Sequence, residues 1–301
     1  MTNLKGVYTA LITPFTKEGA FDEAAFRDLI EFQIASGVNG LVPCGTTGES
    51  PTLSHEEHDR VIQLTVEVSA GRVPVIAGTG SNATSEAIQL SRHAEKSGVD
   101  AVLLVNPYYN KPTQQGLYLH FKAIADSISI PCVLYNIQGR SGVNLETETL
   151  ARLAAECSNI TTVKEASGNL QQMKDVIAST DSSFHVVSGD DNMTLSLIEA
   201  GGKGVISVAS NLIPDKMVEM VGLALEGRFE EAREKEVFLA DFFKTIFIET
   251  NPIPIKTAMA MRGWCEEEFR LPMCGLSSEG KRAKLKAVVD KVGIPIANRT
   301  Q

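Results

Sequence analysis

Eight short, nearly continuous apolar runs, separated by amphipathic stretches, constrain the fold of this chain more than any other feature. The runs are GVYTALI (6–12), GLVPC (40–44), VPVIAG (73–78), AVLLV (101–105), PCVLYN (131–136), ITTVK (160–164), FHVVSG (184–189) and GVISV (204–208). Their starts lie 20 to 34 residues apart, which leaves room for one strand and one covering helix in each unit. Strands that are apolar on both faces belong to parallel sheets covered by helices, because a solvated face would show polar alternation. Helical patterns fill the intervals, as in DEAAFRDLIEFQIASG (22–37) and SEAIQLSRHAEKSG (85–98), each closing on a glycine suited to the left-handed position after a helix. Eight such units predict an α/β fold of the TIM type, a (β/α)8 barrel, although a doubly wound open sheet accommodates the same pattern. Beyond residue 210 the alternation stops. Residues 215–249 read as helix, Asn251-Pro-Ile-Pro-Ile-Lys256 as a break because prolines remove backbone donors, and 255–261 and 276–292 as further helix. The expected organisation is a barrel over 1–225 that carries the active site, followed by a helical domain over 226–301.

Charge and cysteine usage exclude several function classes. The 37 acidic residues outnumber the 28 basic ones for a net charge of −9, which argues against binding to a nucleic-acid backbone. No window approaches the roughly 20 apolar residues of a membrane span. The run Gly6–Phe15 follows Lys5 but contains Pro14 and lacks a small-residue cleavage site, so it reads as a first strand rather than a signal sequence. Cys44, Cys132, Cys157, Cys265 and Cys274 are odd in number, scattered and without a CxxC pair. That pattern suits neither a disulfide framework nor a zinc ribbon and points to a reducing, cytoplasmic setting.

In a barrel of this type, chemistry sits at the C-terminal ends of the strands. Lys164 closes the run Ile160–Val163, and strand alternation places Thr162, Lys164 and Ala166 on one face, Val163 and Glu165 on the other. An inward lysine loses water, its pKa falls from about 10.4, and a neutral amine can form a Schiff base with a carbonyl. The alternative is a strand-end lysine snorkelling to solvent. The loop Gly45-Thr46-Thr47-Gly48 offers backbone N–H groups and two hydroxyls to a carboxylate, or is an ordinary turn before a helix starting near Ser54. Tyr135 can relay a proton or be a buried tyrosine with a satisfied hydroxyl. Arg140 can fork onto a carboxylate or be solvated. His55 and His58 share a helix face without a further ligand cluster, so no metal is expected there. Cys44 reads as a small buried hydrophobe. Asp190-Asp191 offers a magnesium ligand or, with one of the pair, a cap for the next helix.

The segments ALITPF (10–15), GTTGES (45–50), NPYYNKP (106–112), YNIQGR (135–140), VKEASG (163–168), SGDD (188–191), GVISVASN (204–211) and NPIPIK (251–256) occur in that order. Together they resemble the dihydrodipicolinate synthases, in the pyruvate-dependent class I lyase family that also holds N-acetylneuraminate lyase. The resemblance implies a barrel with a C-terminal helical domain, assembled as a homotetramer. It implies condensation of pyruvate with L-aspartate 4-semialdehyde, on the way to diaminopimelate and lysine, with no metal or other cofactor. By position, Lys164 is then the Schiff-base lysine and Tyr135 its proton donor and acceptor. Thr46 links Tyr135 to Tyr109, which the family takes from a neighbouring subunit. Thr47 holds the pyruvate carboxylate, Ile206 makes a backbone contact, Gly189 lines the pocket, and Arg140 receives the carboxylate of the aldehyde substrate. Ser50, His55, His58, Asn82, Glu86 and Tyr108 match the family's L-lysine feedback site at a subunit interface; an ordinary polar interface is the alternative. Gln138 and Ser141 depart from the proline and threonine common there, and loss of proline is expected to loosen the loop carrying Arg140. Thr46-Thr47 and Arg140 favour the synthase over a neuraminate lyase or a keto-sugar-acid aldolase. A non-catalytic keto-acid-binding barrel would have no use for a buried amine.

Overall fold

Each of the eight apolar runs forms a parallel strand in the computed structural model of the chain, which describes residues 4–294 and 297. The strands are β1 (Gly6–Ala10), β2 (Gly40–Val42), β3 (Ile76–Gly78), β4 (Ala101–Val105), β5 (Cys132–Asn136), β6 (Ile160–Glu165), β7 (His185–Ser188) and β8 (Gly204–Ser207). Hydrogen bonding runs in the order β2-β1-β8-β7-β6-β5-β4-β3. A parallel bridge between Leu41 and Val75 brings the two outer strands together, and Leu41 N–H donates to Pro74 O at 3.0 Å. The sheet is therefore a nearly closed barrel, and the open doubly wound alternative does not apply.

The covering helices are α1 (Glu23–Ala35), α2 (His55–Ser69), α3 (Thr84–Lys96), α4 (Gln114–Ala125), α5 (Gln138–Ser141), α6 (Thr147–Glu156), α7 (Leu170–Ser179), α8 (Thr194–Glu199) and α9 (Pro214–Leu225). Their starts follow local chemistry. Asp22 caps α1 through the N–H of Ala25, and Ser54 with Glu57 forms a capping box at α2. Gly37 and Gly98, both at positive φ, end α1 and α3 as the sequence pattern predicts. Alternation along the strands sorts two cores: Tyr8, Val42, Leu103, Val133, Tyr135 and Ile206 face the barrel interior, while Leu41, Val102, Leu134, Val163 and Val205 pack outward under the helices.

The C-terminal segment differs from expectation in two ways. The single helix expected over 215–249 is two: α9 ends at Leu225, Gly227 takes φ +80°, and α10 runs Phe229–Thr245. The next helix, α11 (Ile253–Met261), begins two residues before the expected 255 and contains Pro254. Proline is tolerated in a first turn because its missing N–H would have no intrahelical partner anyway. A final helix, α12 (Glu279–Val292), packs with α10 and α11. The last residues of the expected 226–301 segment, other than 297, lie outside the described residues beyond 294. No helix among the described residues is long and apolar enough to cross a membrane.

Candidate active site

The lysine at the end of β6 points into the barrel. Lys164 is 5% exposed, so the solvent-snorkelling alternative fails. Its Nζ lies 4.2 Å from the centroid of the Tyr135 ring, and the two residues are register partners across β5 and β6. Burial pushes the Lys164 pKa down to about 8; Asp190 and Asp191 oppose the drop, and Arg140 adds to it. Gly189 makes the room, since a Cβ there would sit 3.0 Å from Lys164 Cε and 2.6 Å from the Ala166 Cβ. Burial also pushes Tyr135 up to about 12, with Asp190 raising it and Arg140 and a hydrogen bond with Thr46 pulling it back. At neutral pH the phenol keeps its proton while a usable fraction of the amine is free of one.

The loop after β2 faces this pair. Cys44 and Glu49, neither a glycine, take left-handed backbone angles of φ +56° and +52° at its two ends. Side chains from elsewhere hold it there: Thr13 Oγ1 donates to Gly48 O at 2.7 Å, and Asn251 Nδ2 donates to Thr47 Oγ1 at 2.9 Å. Glu49 forms an ion pair with Lys256 at 2.7 Å, with both side chains at most 1% exposed. A buried pair of this kind costs much to break from one side, because the remaining charge is left unpaired. Cys44 is buried, and burial pushes its thiol up, in keeping with its reading as a small hydrophobe.

Arg140 lies on α5, a single closed turn. Ser141 Oγ donates to Ile137 O at 2.9 Å, and Gly142 N–H donates to Gln138 O at 2.9 Å. Arg140 Nη2 donates to Asn251 O at 3.2 Å. The segment that carries Gln138 and Ser141 is thus a hydrogen-bonded turn in this chain.

One cavity of about 450 Å3 is lined by Thr46, Tyr135 and Arg140, and also by Ser50, His55, His58, Glu86 and Tyr108. Members of two sets that sequence reasoning keeps apart therefore border one space within a single chain, whereas Lys164, Thr47, Gly189 and Ile206 are not on its wall. Glu86 accepts from His55 Nε2 at 3.1 Å and from the Ser81 hydroxyl, and the Ser81 contact chiefly holds its carboxyl below the usual range. His58 Nε2 contacts Gly78 O at 2.8 Å, and burial lowers its pKa. Asn82 is not on the cavity wall; its Nδ2 donates to Tyr108 O at 3.1 Å. Ile206 is buried on the barrel's inner face, in register with Tyr8. Tyr109 is not brought to Thr46 and Tyr135 at all: it takes φ +75° and is 90% exposed.

The capping expectation for Asp190-Asp191 is corrected. Neither side chain caps a helix. Asp191 is buried and accepts from the Ser207 hydroxyl and the N–H groups of Val208 and Ala209, which ties the end of β7 to the end of β8. Burial raises it to about 6. Burial also raises Asp190, with Lys164 and Arg140 opposing. Among the described residues no group of three or more His, Cys, Asp or Glu side chains is placed to hold a metal ion.

Sequence reasoning missed the role of Asn251, read there as part of a helix break and of the segment NPIPIK (251–256), although it touches both Thr47 and Arg140. It also missed Lys256, whose signal is legible in retrospect: a single charge in the apolar stretch IPIKTAMAM demands a buried partner.

Comparisons with known proteins bear on the fold and the family. The profile of the Dihydrodipicolinate synthetase family matches residues 3–291. A 4-hydroxy-tetrahydrodipicolinate synthase from Syntrophus aciditrophicus is 54% identical over 290 residues, 96% of this chain and 99% of that protein. The chloride-inhibited dihydrodipicolinate synthase of Acinetobacter baumannii, crystallised with pyruvate, superposes with a TM-score of 0.94 at 41% identity, covering 96% of this chain and 99% of that one. The enzyme of Cyanidioschyzon merolae, crystallised with lysine bound, superposes with a TM-score of 0.93 at 39% identity, covering 96% and 98%.

Proposed function

The chain belongs to the dihydrodipicolinate synthetase family, and on that premise we propose that it joins pyruvate to L-aspartate 4-semialdehyde through an imine on Lys164. It is an enzyme of the class I lyase type with the 4-hydroxy-tetrahydrodipicolinate synthase activity of its relatives. The observation that carries the imine reading is the buried Lys164 amine, at a pKa of about 8, beside the protonated Tyr135 phenol.

The steps follow from that pair. Lys164 Nζ adds to C2 of pyruvate, Tyr135 supplies a proton to the departing hydroxyl, and water leaves as the imine forms. Loss of a C3 proton gives the enamine, whose C3 attacks the aldehyde carbon while the aldehyde oxygen takes up a proton. The amino group of the second substrate then adds to C2 and displaces Lys164, closing the ring and freeing the amine. Thr47 accepts from Asn251, which leaves its own hydroxyl proton for the pyruvate carboxylate. Arg140 spends one Nη2 contact on Asn251 O and offers its remaining donors to the carboxylate of the aldehyde substrate. Gly189 and Ile206 shape the wall beside the imine.

Thr46 completes the proton path between Tyr135 and Tyr109, with Tyr109 supplied by a second copy in a homotetramer; its exposure on a single chain supports that reading. Ser50, His55, His58, Asn82, Glu86 and Tyr108 form an L-lysine site, supported by the lysine complex of the Cyanidioschyzon merolae relative and by the cavity that all of them but Asn82 border. A cytoplasmic setting fits the free thiols, four buried and one exposed, and the reaction is read as metal-independent.

The test is product formation from pyruvate with aspartate semialdehyde or with a sugar aldehyde, each with and without chelator. Turnover of the semialdehyde, insensitive to chelator, is expected. Turnover of the sugar aldehyde alone would move the chain to the sugar-acid lyases, and loss of turnover with chelator would overturn the metal-independent route.

A further inference from the structure

Behind the two residues that face the barrel interior, their chain neighbours form a second pair. Tyr135 and Lys164 are register partners, and so are the following residues Asn136 and Glu165. Alternation turns the first pair inward and the second outward. Asn136 and Glu165 are both fully buried. Glu165 is acceptor-only when ionised, and every partner it has here is a donor. Oε1 accepts from Asn136 Nδ2 and Ser167 N, both at 3.1 Å, while Oε2 accepts from Gln172 Nε2 at 3.2 Å and Asn136 Nδ2 at 3.3 Å. Those donors are all amides rather than cations.

The contacts continue from Asn136. Its Oδ1 accepts from Asn106 Nδ2 at 2.9 Å and Leu145 N at 3.0 Å, and its Nδ2 donates to Asn144 Oδ1 at 2.8 Å. Gln172 bonds Asn144 in both directions and also reaches Leu145 O. Asn106 donates to Val143 O at 3.2 Å. One carboxylate therefore terminates a network joining the ends of β4, β5 and β6 to the first turn of α7. The same network grips residues 143–145, the stretch that leaves the turn bearing Arg140.

We propose that Glu165 is a positioning residue: through Asn136 it fixes the relative placement of Lys164, Tyr135 and the Arg140 turn. The proposal rests on the imine reading above. A buried carboxylate without a cation is costly to hold, and an apolar pair would fill an outward strand position equally well if packing were all that mattered. What the carboxylate adds is direction, because it fixes which way the Asn136 and Gln172 amides point. Glu165 lies on the strand face opposite Lys164, so its effect on that residue is one of geometry. Misplacement of reacting groups by about 1 Å can cost on the order of a hundredfold in rate.

The test is Glu165→Gln, nearly isosteric, which sets an amide donor against the donors of Asn136 or Gln172. With pyruvate and borohydride, the rate of covalent trapping at Lys164 is expected to fall by about ten- to a hundredfold. Its pH profile should keep the wild-type midpoint, and KM for the aldehyde substrate should rise more than KM for pyruvate. A trapping rate within twofold of wild type would overturn the proposal, and so would a displaced pH midpoint, which would mean that Glu165 acts on the Lys164 charge. Gln172→Ala, which deletes one donor outside the barrel strands, covers the case in which the first variant fails to fold: it should give a smaller change in the same direction, and no change overturns the proposal. Trapping uses pyruvate alone, so a wild type that traps pyruvate but rejects aspartate semialdehyde refutes only the second-substrate reading. A wild type that traps nothing refutes the imine reading and this proposal with it.

Discussion

Lys164→Met is expected to stabilise the fold while abolishing imine chemistry. The amine is almost completely buried, and its pKa is displaced from 10.5 to about 8. A displacement of ~2.5 units at about 1.36 kcal/mol each makes the ammonium a burden of about 3 kcal/mol on the folded state at pH 7. The sign follows from proton uptake. Between pH 8 and 10.5 the unfolded lysine is protonated and the folded one is not, so the unfolded state binds more protons and wild-type stability rises with pH. Below pH 8 the burden is constant and complete. Methionine has a similar length and no charge, so it removes the burden at every pH. The variant should exceed wild type by about 3 kcal/mol at pH 7, about 2 kcal/mol at pH 9 and less than about 1 kcal/mol at pH 10. Urea unfolding of both proteins at these three pH values measures the gap. A methionine variant no more stable than wild type at pH 7, or a gap that does not shrink toward pH 10, would refute the claim that burial depresses this lysine.

Three further outcomes follow from the site. Tyr135→Phe, which removes the phenol proton, should lower kcat by about 10²- to 10³-fold in steady-state assays; wild-type turnover would remove Tyr135 from the mechanism. Arg140→Ala should raise KM for the aldehyde substrate far more than KM for pyruvate, and equal effects would show that the guanidinium does not receive that carboxylate. L-Lysine should inhibit the wild type, and Glu86→Ala should weaken that inhibition while retaining most of the uninhibited activity; kinetics insensitive to millimolar lysine would exclude the regulatory site.

The barrel is legible in the sequence because strands buried on both faces leave uninterrupted apolar runs, and the starts of β1, β2, β4, β6 and β8 coincide with the starts of their runs. Lys164 stands out for the same reason, as a charge closing such a run. The C-terminal segment is harder to read. Proline marks both the end of one helix and the first turn of the next, so Pro254 looks like a breaker until its partners are known. Asp191 looks like a helix cap because aspartate commonly is one, yet its acceptors turn to Ser207, Val208 and Ala209 on the neighbouring strand end. Asn251 acts on Thr47 across more than 200 residues of chain, and no local pattern encodes that contact. Tyr109 is 90% exposed on its own chain, so no contact within the chain marks the role that the resemblance gives it.

The central claim is that Lys164 carries the substrate as an imine, and reductive trapping tests it most directly. Incubation with pyruvate and borohydride should add one reduced pyruvyl group per chain, and peptide mass mapping should place it on Lys164. Lys256, buried against Glu49, should remain unmodified. Intact mass showing unmodified protein, or an adduct mapped to Lys256 or any other lysine, would contradict the account.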